Sequence, residues 1–429
     1  MTSEQCELLR ALQQDSFSYF VHQTNLANGL VRDKSREGWP ASIAAIGLAL
    51  AAYPVGVECG FMMRDEAVQR TLTTLRFFAT APHGPESDAT GHKGFYYHFL
   101  DMTSGRRAWH SELSSVDSAF LLAGMLAAAA YFQQQTAADD EIRRLADALF
   151  RKADWQWMQN GAAAVSHGWT PETGFLRCRW RGYDEALIIY LLGLGSPTHP
   201  LPVESFQAWA STYKWKTLYD IEFLYAGPLF IHQLSHVWID FRGIRDKFMR
   251  EHDLDYFENS RRASFVQQQY AIRNPRGYAH YDEYCWGITA SDGPGPRTLM
   301  VDGVERVFYD YIARGAPFGP DDGTLAPWAV VASLPFAPEI VLPTIRNFER
   351  MELEAARDYG YKASFNPTFP VRPKHEHGWV SPYNFGLNQG PIVLMIENHR
   401  SDFLWSLMRQ CPYLVTGLRR AGFTGGWLE

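Results

Sequence analysis

The chemistry-bearing residues of this chain gather where polar loops run into apolar helices. Arg181-Gly182-Tyr183-Asp184-Glu185-Ala186 leads straight into the apolar run 187–195, so two adjacent carboxylates and an aromatic stand at the mouth of a core helix. Asp and Glu are rarely buried unless paired or employed, and burial raises a carboxyl pKa, which suits a general acid. The competing reading is a first helical turn whose acids meet the helix dipole. A second acidic group has the same layout. In His110-Ser111-Glu112-Leu113-Ser114-Ser115-Val116-Asp117-Ser118, Glu112 lies in the incoming loop and Asp117 in the first turn of the next apolar helix, which Ser114 can cap. Ordinary capping is the alternative for Asp117. If the helices enter the fold in the same sense, Glu112, Asp117 and Glu185 face one end of it, and carboxylate acid–base catalysis is the chemistry they offer.

Three further constellations could serve such a site. His232, Gln233, His236, Trp238, Asp240 and Arg242 fall within eleven positions of an apolar stretch. The two histidines have metal-capable spacing but no HExxH signature, so neither a metal nor a cofactor is expected. Gln233, Trp238 and Arg242 suit hydroxyl recognition, with a satisfied polar core as the alternative. The irregular aromatic segment 277–295, with Trp286, reads as a wall. Asn388-Gln389 precede a buried helix and would point into the same mouth. Trp169, Trp180 and Tyr183, with Trp238 and Trp286, are candidate platforms for sugar rings, whose CH groups meet a π face. No Walker loop, dinucleotide fingerprint, GxSxG or kinase signature occurs.

Helices must position these residues. Apolar spacing predicts them at about 4–24, 41–55, 64–80, 114–134, 138–159, 184–195, 203–213, 226–235, 241–251, 256–272, 326–333, 338–355 and 389–410. Pro327, Pro338 and Pro391 are read as first-turn prolines. Period-two alternation is scarce, with small hairpins expected near 94–100 and 174–180. The long loops 80–115, 160–183, 273–325 and 358–388 are where a site would be built. A helix count near twelve fits one all-α barrel of paired helices spanning residues 1–429. No repeat is visible, and a helical solenoid is the alternative.

Composition narrows the class. The chain of 429 residues is 46% hydrophobic, 20% charged and carries a net charge of −7, which argues for a large core and against a nucleic-acid partner. It holds 14 Trp, 21 Tyr and 27 Phe, more than a core alone demands. Cys6, Cys59, Cys178, Cys285 and Cys411 are scattered and read as reduced. The apolar stretches are too short or too rich in Ala and Gly for membrane spans, and the first residues lack a signal-peptide pattern. The expected location is the cytoplasm, or the periplasm if a leader has been removed.

At these residues the chain resembles the bacterial glucoamylase-like ("glycoamylase" domain) family, which includes endo-β-1,2-glucanases. The stretches that carry the likeness are SSVDSAFLLAGML, RGYDEALIIYLLGLGSPTHPLP, YAGPLFIHQLSHVWIDFRGIRD, DDGTLAPWAVVASLPFAPE and NQGPIVLMIEN, spanning roughly residues 36–405. The resemblance implies an (α/α)6 barrel and hydrolysis of a β-linked glucan, β-1,2 favoured, with inversion. It implies Glu185 as general acid and Asp117, with Glu112 nearby, as further acids of the pocket. Where many relatives read Asp-Gln-Gly-Pro, this chain has Asn388-Gln389-Gly390-Pro391, and an amide cannot accept a proton as a carboxylate does. Water activation is then expected from Asp117 or Glu112. A sugar-transferring enzyme of the same fold and a barrel that only binds carbohydrate are the other readings.

Overall fold

A computed structural model describes residues 2–351, 353, 358–371 and 377–429; positions 352, 354 and 355 of the predicted helix 338–355 and 372–376 within loop 358–388 lie outside the described residues. The predicted (α/α)6 barrel is present. Helices that are buried all round alternate along the chain with helices that have one exposed face. The buried set is Ile43–Glu58, Ser115–Tyr131, Leu187–Gly195, Leu234–Trp238, Pro327–Ala332 and Gly386–Ser401. The alternating outer set is Ser3–His22, Arg64–Thr80, Ala137–Arg151, Val203–Ala210, Tyr256–Arg273 and Pro338–Arg350. The composition of each set follows its place. Inner helices are built of Ala, Leu, Ile, Val and Gly, because a helix surrounded by protein has no polar side to present. Outer helices carry charge on the solvent face, as in Ala137–Arg151 with Asp140 and Arg151 in its end turns.

Small residues let the inner ring close. Gly124 on Ser115–Tyr131 lies against the Gly47 backbone of Ile43–Glu58, and a Cβ built on Gly124 would strike the Gly47 carbonyl. Gly124→Ala is therefore expected to cost about 1–3 kcal/mol through overpacking, read as a lowered urea midpoint. An unchanged midpoint would refute this close approach.

Several expected helices are shorter than their patterns. The predicted 138–159 breaks into Ala137–Arg151 and Trp155–Gln159, with Asp154 capping the second piece. The predicted 389–410 divides at Asp402, whose left-handed backbone (φ 56°) ends Gly386–Ser401 before Phe403–Met408 begins. Gly386 starts that helix, so Pro391 lies inside it rather than in its first turn. Stretch 226–235 becomes a 3-10 turn, Leu229–His232, followed by Leu234–Trp238, and 241–251 contracts to Lys247–Glu251.

Among the described residues the strands are short and lie between the helices, and the hairpin Trp215–Leu218/Ile221–Leu224 packs on the outer helix Tyr256–Arg273. Gly91–His92, Phe95–Tyr97, Leu113–Ser114, Gly168–Thr170 and Gly174–Phe175 make one antiparallel sheet in that order. Ala41–Ser42 pairs with Phe99–Leu100 in the register Ser42↔Phe99. The hairpin Arg297–Val301/Val304–Phe308 turns at Asp302-Gly303, both with positive φ (50° and 79°), and was not expected from a loop with little alternation. Its base is tied to the barrel by Arg314 and Asp322, both wholly buried. Arg314 donates to both Asp322 oxygens (2.7 and 2.9 Å) and to the carbonyls of Ser291, Tyr309 and Asp310.

Candidate active site

The N-terminal ends of all six inner helices open on a single two-lobed cleft. Ser42, Asp117, Glu185, Leu234, Trp328 and Asn388, each in the first turn of one inner helix or just before it, all line it. The larger lobe, about 370 Å³, adds His98, Glu112, Ser114, His167, Trp180 and Phe230. The smaller, about 310 Å³, adds Asp33, Lys34, Trp39, Trp109, Asp292 and Asp310. His98, Asp117, Tyr311, Leu387 and Asn388 line both, so they mark the junction. These volumes fall in the range of small-ligand pockets.

Glu185 stands two residues before Leu187–Gly195, and its carbonyl accepts from Ser235 Oγ at 3.2 Å. Burial, and next the charge of Asp184, push its carboxyl up to about 8. Asp184 faces the other way: it accepts from Trp209 Nε1 (2.8 Å) and from the Ala186 amide (3.1 Å). Burial lifts Asp184 too, to about 7. The pair therefore holds a proton near neutrality, the state a general acid needs.

The facing wall is a second acidic group built around a histidine that the sequence reading did not single out. Ser114 caps its helix, its hydroxyl accepting from the Asp117 amide (3.2 Å) while donating to Asp117 Oδ2. His98 Nδ1 is 3.0 Å from Glu112 Oε1, and its Nε2 is 3.6 Å from Asp117 Oδ2. Burial alone would lower the imidazole pKa, but Asp117, then Glu112 and Asp33, raise it to about 9. Glu112 is opposed by burial, yet its His98 partner brings its pKa below the usual value. Asp33, on the loop before Ile43–Glu58, accepts from Trp39 Nε1 (3.2 Å) and is raised by burial to about 6, with His98 and Trp39 restraining the rise. Lys34 pairs with Asp292 (3.0 Å), which also accepts from Ser381 Oγ (3.1 Å). Tyr311, 53% exposed, hangs across the junction from the segment that Arg314 anchors.

The expected residues divide cleanly. Glu185, Asp117, Glu112, Trp180 and Asn388 come together in the cleft. Trp180 donates Nε1 to Ser115 Oγ (2.9 Å) and stacks on His167 at 3.7 Å. The other expected contacts need correcting. Gln233 is wholly buried, donating to the Ala329 carbonyl (2.6 Å) and Ser333 Oγ (2.7 Å), which is the polar-core alternative. Trp238 and Trp286 are core side chains with no exposure, Trp286 donating to Thr344 Oγ1 (2.9 Å). Tyr183 is packed among Tyr213, His232 and Tyr256, and Trp169 among His92 and Trp157. Gln389 is buried and donates to the Tyr361 carbonyl (3.2 Å). Arg242 clasps Asp240 and Asp402, and Asp402 caps the C-terminal end of Gly386–Ser401. A helix of that length spans roughly 24 Å, so Arg242 is at the opposite end of the barrel from the cleft.

Comparison with known proteins agrees with this geometry. Residues 177–412, more than half the chain, match the Glycoamylase family model, described as "Putative glucoamylase". Under the same description, a Bacteroides uniformis crystal structure is 30% identical and superposes with a TM-score of 0.87 over 100% of both chains. The crystal structure of a β-1,2-glucanase from Parabacteroides distasonis is 27% identical with a TM-score of 0.84, over 98% of this chain and 60% of that one. A curated protein of that organism, an exo β-1,2-glucooligosaccharide sophorohydrolase acting at the non-reducing end, is 29% identical over 98% of this chain. The chain spans 58% of that relative's length. With an acid-lined cleft at the N-terminal mouth of a six-fold helical barrel and a family match over most of the helices that form it, this chain belongs to the glycoamylase family.

Proposed function

We propose that the whole chain is one catalytic barrel that hydrolyses β-1,2-linked glucan with inversion at the anomeric carbon. The observation that carries this is one cleft lined by Glu185, whose carboxyl burial pushes up to about 8, together with two further acids, Asp117 and Glu112. Glu185 gives its proton to the glycosidic oxygen as the bond from that oxygen to the anomeric carbon breaks. Asp117 or Glu112 takes a proton from a water molecule whose oxygen bonds to the same carbon from the opposite side. In an inverting reaction the two carboxyl groups leave room for that water. Net, one water is consumed and two shorter saccharides are released, with no cofactor. Trp180, Trp39 and Trp109 supply ring faces, and Asn388, Lys34 and Asp292 supply hydroxyl partners, which suits a neutral polyhydroxylated substrate. The two similar relatives that act on β-1,2-linked glucose support the linkage.

The test is reducing-sugar release from a panel of α- and β-linked glucans. Release confined to the β-1,2-linked substrate is expected. Release confined to another linkage would replace that substrate, and binding without release would favour a barrel that only holds carbohydrate. Added acceptor sugars that shift products to longer chains would favour transfer.

The carboxyl pair also sets a pH dependence. Activity should fall as pH rises through about 8, where Glu185 loses its proton. Asp184→Asn keeps an acceptor for Trp209 while removing the charge that raises Glu185, so the alkaline limb of kcat/KM should move to lower pH. A limb that stays in place would remove Asp184 from this role.

A further inference from the structure

Two further acids share the larger lobe with Glu185, and their surroundings differ. Glu112 lines only the larger lobe, and its Oε1 is engaged by His98 Nδ1 at 3.0 Å. Asp117 lies at the junction of the lobes. Both the Ser114 hydroxyl and His98 Nε2 address its Oδ2, which leaves Oδ1 without a hydrogen bond among the described residues. His98 is fixed from three sides. Its amide donates to the Glu112 carbonyl (2.9 Å), its carbonyl accepts from the Ile43 amide (3.2 Å), and its ring stacks on Phe99 at 4.0 Å.

Resting on the functional reading above, we propose that Asp117 is the water-activating base and that His98 is the positioning residue that sets its cation against Asp117 Oδ2, with Glu112 orienting the imidazole. The groups that face His98 are Asp117 from the Ser115–Tyr131 helix, Glu112 from the loop that precedes it, and Asp33 from the loop before Ile43–Glu58. Three carboxyl groups around one imidazole favour the imidazolium, which has an N–H for Glu112 and another directed toward Asp117. An imidazolium has no lone pair to accept a proton, so His98 holds charge here rather than relaying it. The proton from water stays on Asp117 until products leave.

The experiment is the pH profile of kcat and KM on linear β-1,2-glucan for the wild type, His98→Gln, Glu112→Gln and Asp117→Asn. Loss of the cation should raise the acid limb of His98→Gln by about 1–3 pH units, the range a neighbouring charge commands. Its activity should recover toward wild type as pH rises, with KM little changed. Glu112→Gln should show a smaller shift in the same direction, and Asp117→Asn should lose turnover at every pH. An unmoved acid limb in His98→Gln, with a wild type that hydrolyses the glucan, overturns the assignment and leaves the function standing. A wild type silent on every glucan overturns the function and the assignment with it. Nitrogen-edited NMR of the wild-type imidazole needs no variant: both ring nitrogens of His98 protonated at pH 7 is the expected result, and a neutral ring overturns it.

Discussion

Glu185→Gln loses roughly 10²–10⁴-fold in turnover, the usual contribution of a general acid, while the protein stays folded. Glutamine fills the same space and stays neutral, as the protonated carboxyl does, so the barrel loses no packing. What disappears is the proton delivered to the departing oxygen. The substitution also has a signature in stability. The Glu185 carboxyl is raised to about 8, chiefly by burial, so the folded protein retains a proton that an unfolded chain would already have released. Its contribution to stability is fully present below the ordinary carboxyl pKa and is lost as pH rises through about 8. Thermal melts across pH should therefore show Glu185→Gln gaining on the wild type as pH rises from the ordinary carboxyl pKa to about 8, with the gap constant above that. Near-wild-type turnover in this variant would remove Glu185 from the mechanism.

Asp322→Ala should cost about 3–5 kcal/mol, because it leaves the Arg314 guanidinium charged and unpaired in the interior. The pair has no exposure, and Asp322 also accepts from the amides of Tyr309 (2.9 Å) and Thr324 (3.1 Å). The damage should reach the site. The same guanidinium bonds the Tyr309 and Asp310 carbonyls, so it fixes the two residues that lead into Tyr311 at the cleft. Urea denaturation should show the lost stability, and kcat/KM on β-1,2-glucan should fall with it. Replacing both partners with apolar residues, Arg314→Met with Asp322→Leu, should recover only part of the stability, since no buried charge is left unpaired but the backbone groups the pair satisfies lose their partners. A wild-type midpoint in Asp322→Ala would show that the pair does not anchor this segment.

The barrel was legible because its inner helices are apolar all round, a pattern that periodicity and length reveal directly. Part of the cleft lining was legible for a related reason. Glu185, Asp117 and Asn388 each stand at the threshold of such a helix, where a polar residue has no obvious place unless it serves the mouth. His98 was not legible. It sits one residue before Phe99–Leu100 in a loop rich in aromatics, and its partners Glu112, Asp117 and Asp33 reach it only through strand pairing. Lys34, Asp292 and Tyr311 are likewise brought to the cleft by long-range contacts that no local pattern encodes. The misplaced aromatics err in the other direction. Trp238 follows His236-Val237 and precedes Ile239 in an apolar run, a setting in which burial is the better expectation than a sugar platform. Gln233 and Arg242 look functional in sequence because they are polar among apolar neighbours, yet the Gln233 amide nitrogen bonds Ala329 and Ser333 in the core and Arg242 clasps Asp240. Long loops hid the Arg297–Phe308 hairpin, although Asp302-Gly303 between two short stretches was a readable turn signal.

Proton NMR of the first products released from linear β-1,2-glucan tests the acid and base together. If Glu185 protonates the leaving oxygen while a carboxylate opposite it directs water, the newly formed reducing ends appear first as the α-anomer and mutarotate afterwards. Reducing ends that appear first as the β-anomer, or none at all, would contradict the account.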